Sequence, residues 1–185
     1  MADEDETIEL IERLARLVAN EGHAHGLKPA QWEALRYLAR ANRFSRTPGA
    51  LTAYLGLTKG TVSQTLMTME RAGLVAKTAH PGDARSVRLD LTEKGRALLP
   101  LDGMATIRAA FEALPQASRA SLGRELRALV GALLAARAGR PFGICRQCRH
   151  FAADARGKGR HHCRLLDEPL SDAEAEEICQ EQEAA

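Results

Sequence analysis

The sequence predicts a mainly α-helical fold carrying one small β-hairpin, and three observations predict it. Hydrophobic residues make up 45% of the 185 and aromatics only 4%, a balance suited to Ala- and Leu-rich helices rather than to a β-sandwich. Apolar residues recur at helical spacing through most of the chain before Arg140. Strict alternation occurs behind the turn-forming run His80-Pro81-Gly82-Asp83, where Val87, Leu89 and Leu91 interleave with Ser86, Arg88 and Asp90. A chain of this length can bury a core, and it accommodates one domain of ordinary size plus an appendage.

The elements follow in order. Ile8, Ile11, Leu14 or Ala15, and Val18 form the stripe of an N-terminal helix ending at Asn20 and Gly22. Pro29 starts a second helix carrying Trp32, Leu35 and Leu38. Thr47-Pro48 opens a third: a threonine can cap the free N–H groups, and proline tolerates the first helical position. Leu51, Tyr54 and Leu55 share one of its faces, and Gly56 supplies the stop. Thr58 caps a fourth helix whose inward stripe is Val62, Leu66 and Met69, closed by Gly73. Leu74 and Val75 lead into the hairpin, and Thr92 can cap the next helix. Residues 92–114 read as one long helix bent around Pro100 and Gly103, continuing its stripe through Met104, Ile107, Phe111 and Leu114. Leu122, Leu126, Leu129 and Leu133 mark the last long helix.

Two short helices, a tight turn and a hairpin in this order make a winged helix-turn-helix, the architecture of a DNA-reading head. The first turns of the fourth helix face Lys59, Thr61, Ser63, Gln64 and Thr65 outward, short polar groups and one cation suited to a major groove. With Thr58 before them, and Lys77 and Arg85 on the hairpin, they are the candidate DNA-binding residues; Asp83 is placed to orient Arg85. The net charge of +2 averages over segments of opposite sign. Residues 28–96 hold 12 Lys and Arg against 5 Asp and Glu, a balance of +7, whereas residues 165–185 hold 8 acids and no Lys or Arg. The basic charge thus coincides with the reading head, as phosphate binding requires.

The run LTAYLGLTKGTVSQTLMTMERAGLV followed by GDARSVRLDLTEKG resembles a MarR-type winged helix-turn-helix regulator, over roughly residues 5 to 138. The recognition-helix pattern, the Asp-x-Arg wing and the Leu-Thr-x-x-Gly exit occur in matching order. The resemblance implies a homodimer in which the first and last helices interlock, bound to a pseudo-palindromic operator in double-stranded DNA, with a repressor as the expected mode. Dimerisation also has a physical motive: one recognition helix reads few base pairs, and two-fold pairing doubles the contact. MarR-type regulators often hold a small effector between dimer and head, and Trp32, Arg36, Tyr37 and Phe44 are candidates to line such a cleft or to be ordinary core and surface. The expected divisions are a dimerisation helix over 1–26, the winged helix-turn-helix over 27–95, dimerisation helices over 96–140 and a cysteine-rich segment over 141–185. No nucleophile sits with an orienting base and there is no phosphate loop, so no enzyme is expected. With an acidic start at Asp3 to Glu6 and no apolar run of membrane length, a cytoplasmic protein is expected, without membrane partners.

All four cysteines lie beyond Arg140-Pro141-Phe142-Gly143, spaced Cys145-x2-Cys148-x14-Cys163-x15-Cys179. In a reducing compartment such a set points to a metal more than to disulfides, although a thiol or disulfide switch stays open. Two thiolates in a tight Cys-x2-Cys turn can hold one centre, with Arg146 and Arg149 beside them to favour the ionised form. Structural zinc usually takes two closely spaced pairs, whereas here the last two cysteines are singletons, a spacing that better suits the corners of a 4Fe–4S cube. The spacing, with Phe151 close behind, is similar to that of high-potential iron–sulfur proteins and of small cluster-bearing subunits of glycyl-radical enzymes. A 4Fe–4S cluster is the leading expectation, zinc the alternative, and His150, His161 and His162 could each replace a cysteine. The segment is too short and polar to bury a core of its own, so the metal is expected to fold it. The function expected is a regulator whose centre senses redox or iron status or braces the dimer. The alternatives are the same regulator with structural zinc and a small effector, or an iron–sulfur electron-transfer or docking module.

Overall fold

The computed structural model describes residues 2–21, 23–80 and 83–184. Helix α1 (Ala2–Glu21) is amphipathic and leaves Ile8, Leu10, Leu14 and Leu17 exposed. A short 3-10 turn leads to α2 (Pro29–Arg40), with proline at its first turn and the Gln31 side chain accepting from the Lys28 N–H at 2.8 Å. Helix α2 is the central pillar of the head. Trp32, Ala34, Leu35, Tyr37 and Leu38 are all buried, packed against α3 (Pro48–Leu55) and α4 (Lys59–Arg71).

The expected caps are in place. The Thr47 hydroxyl accepts from the Ala50 N–H and the Thr58 hydroxyl from the Thr61 N–H, each at 3.1 Å, so each helix starts where the sequence supplies a short oxygen. Val62, Leu66 and Met69 are the buried face of α4. Strands β1 (Val75–His80) and β2 (Asp83–Leu91) pair antiparallel, with Val75 opposite Leu91 and Lys77 opposite Leu89. The Leu89 N–H also donates to Arg46 O at 2.7 Å, which ties the wing to the α2–α3 loop. Helix α5 (Glu93–Leu98) leaves the wing on a Thr92 cap. A Cβ on Gly95 would stand 2.2 Å from Leu74 O, so the glycine of the Leu-Thr-x-x-Gly exit is dictated by close approach of the helix to the first wing strand.

The expected single bent helix over 92–114 is two. Helix α5 passes into a 3-10 turn at Leu99–Leu101, and α6 (Ala105–Glu112) begins afresh. Pro100 has no N–H to continue the ladder. Beyond it Asp102 is extended and buried; its carboxylate accepts from the Met104 N–H and pairs with Arg36 at 3.8 Å and Arg108 at 3.5 Å. At Gly103 a Cβ would meet Glu21 O at 2.0 Å, because the end of α1 packs there. Helix α7 (Gln116–Ala136) completes the helical part, with Leu122, Leu126, Val130 and Leu133 exposed along it.

Residues 141–184 fold back onto the head. Phe142 packs edge-on against Tyr54 and Tyr37, at centroid distances of 5.2 and 6.1 Å. Strand β3 (Gly143–Ile144) precedes the cysteine turn. Strands β4 (Phe151–Ala152), β5 (Arg160–Cys163) and β6 (Glu168–Ser171) form an antiparallel sheet, followed by α8 (Asp172–Ala175) on a Ser171–Glu174 capping box. Strand β7 (Ile178–Cys179) returns to pair with β3. The segment therefore does not depend on a metal for all of its core. Ile178 is buried in the hydrophobic cluster of the head, and Phe142 and Ile144 pack against that cluster. It borrows a core already there, which a reading of its own composition could not reveal.

Candidate nucleic-acid interface and cysteine cavity

The candidate reading face lies on α4 and the wing. Thr58, Lys59, Thr61, Ser63 and Gln64 are exposed, while Thr65 is half-buried and its hydroxyl donates to Thr61 O at 2.9 Å. Thr58 and Thr61 hydroxyls lie 2.9 Å apart at the helix start, so Thr58 holds the helix N-terminus as well as facing outward. Lys59 and Ser63 share a cleft with Lys77 of the wing, bringing three of the candidates together. Lys77 Nζ is bound to the Glu70 carboxylate at 2.7 Å, a half-exposed pair that fixes the base of the wing against α4. The side chains of His80 and of residues 83–86, and all of Pro81 and Gly82, lie outside the described residues; Arg85, Asp83 and the turn of the wing fall among these.

The second site joins all four cysteines. Cys145 opens a 3-10 turn in which the Cys148 N–H donates to Cys145 O, and the Phe151 N–H then donates to Cys148 O at 2.9 Å. Cys163 stands opposite Phe151 in the register of β4 and β5, and Cys179 ends β7 beside β3. Together Cys145, Cys148, Cys163 and Cys179 line one small cavity whose apolar walls are Phe151, Leu165 and Leu170. All four are free thiols. Among the described residues no tight group of three or more His, Cys, Asp or Glu forms a ready-made ion site. The donor chemistry, four sulfurs around a small, mostly apolar space, suits a thiolate-held metal centre, iron–sulfur or zinc.

Arg146 and Arg149 do not favour the thiolates as expected. Arg146 pairs with Glu176 and Asp172, and Arg149 with Glu183 at 3.2 Å, so their charge is already matched by the acidic tail. Neutral donors take that place. Asn42, 1% exposed, donates from Nδ2 to Cys145 Sγ at 3.3 Å, and the Glu183 N–H donates to Cys148 Sγ at 3.5 Å. Cys145 and Cys179 share a proton in a hydrogen bond, and that interaction, then burial, push Cys145 up. Cys179 is held below its ordinary value, first by that hydrogen bond and further by Asn42, the Glu181 backbone and Ser45, against the opposing effect of burial. The two behave as one coupled pair.

The three histidines separate. His161 uses both ring nitrogens, accepting from the Asp154 N–H and meeting Asp172 at 3.0 Å; His162 meets Asp167 at 3.0 Å; His150 lines the cavity. Of the effector candidates, Arg36 and Tyr37 line a cavity of about 590 Å³ between α2, Tyr54 and Asp102, while Trp32 is core and Phe44 packs beside the cysteines instead. Apart from Phe44, sequence reasoning missed the loop at 41–46, where Asn42, Ser45 and Arg46 link to the cysteine segment across more than a hundred residues.

A head of this kind, with a capped recognition helix and a paired wing, defines the class: a winged helix-turn-helix protein. Residues 25–86 match the MarR family, so the head is similar to the domain of that family. No curated protein matches the chain significantly. Solved structures share the fold. A MarR transcriptional regulator from Methanosarcina mazei is 22% identical with a TM-score of 0.57, the match covering 73% of this chain and 99% of that one. Sco3205, a MarR family regulator from Streptomyces coelicolor solved in complex with DNA, is 23% identical with a TM-score of 0.60, over 72% and 89%. CouR from Rhodococcus jostii, bound to p-coumaroyl-CoA, is 24% identical with a TM-score of 0.56, over 68% and 92%. Among the described residues no helix is long and apolar enough to cross a membrane.

Proposed function

We propose that the chain is a dimeric DNA-binding transcription regulator, acting as a repressor, whose α4 and wing read a pseudo-palindromic duplex and whose four cysteines hold a 4Fe–4S cluster that reports redox or iron status. One observation carries the cluster: cysteines spread over 35 residues line a single cavity, on a segment docked against the head. Cys145, Cys148, Cys163 and Cys179 would each supply one thiolate, and a bound cluster would supply a charge and oxidation state sensitive to oxygen and iron supply. The segment rests on the α2–α3 loop, an arrangement that supports a signal to the head over a brace between dimer helices. The unpartnered apolar stripes of α1 and α7 support the dimer, and the relative solved on DNA supports the duplex partner.

The test is anaerobic purification, followed by the visible spectrum, iron and sulfide content, and binding to duplexes selected from a random pool. A brown protein with four iron per chain and operator affinity that changes on bleaching is the expected result. A colourless protein with one zinc per chain removes the cluster. The second reading then gains: the same regulator with structural zinc and a small effector, supported by the cavity at Arg36, Tyr37, Arg40 and Arg108 and by the ligand held in CouR.

A further inference from the structure

We propose that the α2–α3 loop, residues 41–46, completes the cysteine site and is the element through which its occupancy reaches the wing. The inference rests on the four cysteines holding a metal centre, and it names the residues that would carry the signal.

Asn42 is the link to the sulfurs. It is buried, and each of its polar groups is committed: Nδ2 donates to Cys145 Sγ at 3.3 Å, Oδ1 accepts from the Ser45 N–H at 3.0 Å, and its own N–H donates to Ile178 O at 2.9 Å. Ser45 Oγ accepts from the N–H of Gln180, the residue after Cys179, at 2.9 Å. One short loop of the head thus touches both the first cysteine turn and the end of the last cysteine strand. A protonated thiol is a weak acceptor, whereas a metal-bound thiolate is charged, and hydrogen bonds to ionised acceptors are roughly twice as strong. Loading the site therefore tightens the Asn42 bond, which gives the loop a different free energy in the loaded and metal-free forms. That difference is what a conformational signal requires.

Arg46 is the link to the wing. Its Nε donates to Ala41 O at 2.8 Å, and its guanidinium spans Glu177 at 3.3 Å and Asp90 at 3.5 Å. Glu177 lies two residues before Cys179, and Asp90 lies on β2, where Arg88 holds the same carboxylate at 2.9 Å. Arg46 O also accepts from Leu89 of β2, and Thr47, the next residue, caps α3. A shift of this loop on loading would move the base of the wing and the start of the first helix of the reading motif together. By linkage the effect is reciprocal: duplex binding must change the retention of the metal by the same factor.

Three proteins test the proposal: wild type, Asn42→Asp, which keeps the acceptor toward Ser45 but loses the donor toward Cys145, and Glu177→Gln, which leaves the sulfurs untouched. Each is measured loaded and metal-free for amide exchange at 41–47, chelator-driven iron release, and affinity for a duplex selected from a random pool. In wild type, exchange at 41–47 should slow on loading, and duplex affinity should differ between forms by about 5–150-fold, the usual span of allosteric coupling. Asn42→Asp should lose iron affinity by about 10–100-fold, as expected when a partner of a metal ligand is removed. Glu177→Gln should keep its spectrum while its affinity ratio moves toward one. Equal exchange at 41–47 in the two wild-type forms, or an undiminished ratio in Glu177→Gln, overturns the loop's role and leaves the cluster standing. If zinc loads in place of iron, the cofactor reading fails alone, and the same comparisons on the zinc form uphold or overturn the loop. A protein that takes up neither overturns both.

Discussion

Gln64 and Ser63 are exposed on α4, where the proposed reading of a duplex would use them. Gln64→Ala or Ser63→Ala should weaken binding to the selected duplex by about 1–3 kcal/mol per lost base contact while sparing non-specific binding. Lys59→Ala should instead lower the salt slope by about 0.9, the signature of one lost phosphate contact. Titrations at several salt concentrations separate the two, and equal affinity of all three variants would remove this face from the site. Met69, fully buried, has the opposite role: Met69→Ala should cost about 2–5 kcal/mol in denaturant unfolding without a specific effect on base choice. These residues were legible in the sequence because helical periodicity sorts inward from outward within a single turn. Asn42, Ser45 and Arg46 were not, since nothing local marks a loop residue whose partner is a distant sulfur or carboxylate.

Helix starts were equally legible, because a cap is a local event. Thr58→Ala should cost about 1 kcal/mol of stability through the lost bond to the Thr61 N–H, read in thermal or urea melts. The break between α5 and α6 was misread as a bend. Proline marked the place, but the buried Asp102 and the contact of Gly103 with the end of α1 are tertiary facts that periodicity cannot carry. Helices α1 and α7 each leave an apolar stripe exposed, the seam of the proposed dimer. Val130→Glu together with Leu126→Glu should convert a dimer to monomer in sedimentation experiments and abolish high-affinity operator binding, because charge cannot be buried in an apolar seam. A variant that remains dimeric would place the interface elsewhere.

At the scale of the molecule, an acidic tail lies on a basic head. Arg43 is bound by Glu174 and by Glu168 at 3.3 Å, and its guanidinium stacks on Phe44 at 4.4 Å. Burial raises the Glu174 carboxyl, but hydrogen bonds from Ser171 and Arg43 outweigh it and leave the group below its ordinary value. A lowered folded value means that its contribution is complete above the unfolded pKa, near 4.5, and is lost as pH falls through the folded one. Amide exchange in residues 141–184 should therefore rise on acidification below that value, and Glu174→Gln should flatten the dependence. If the four cysteines hold a metal as proposed, any single Cys→Ser should lose most of it and loosen the cysteine turn, while Phe142 and Ile178 keep part of the segment docked. Full release of the whole segment would show that the shared core is weaker than its burial implies. The sequence showed the four cysteines as one group, because spacing is visible in it; it did not show where the group would dock.

Ile178 sits in the hydrophobic core of the head and pairs with Ala41, 137 positions earlier in the chain. Such a contact closes a very long loop, and the entropy of closing it must be met before the contact returns any stabilisation. The helices of the head can form early from local contacts, yet their last core position stays open until the far end of the chain arrives. Closing that loop is costly in entropy, so Ile178→Ala should weaken the docking of β7, read as faster amide exchange in residues 141–184 than in the helices of the head.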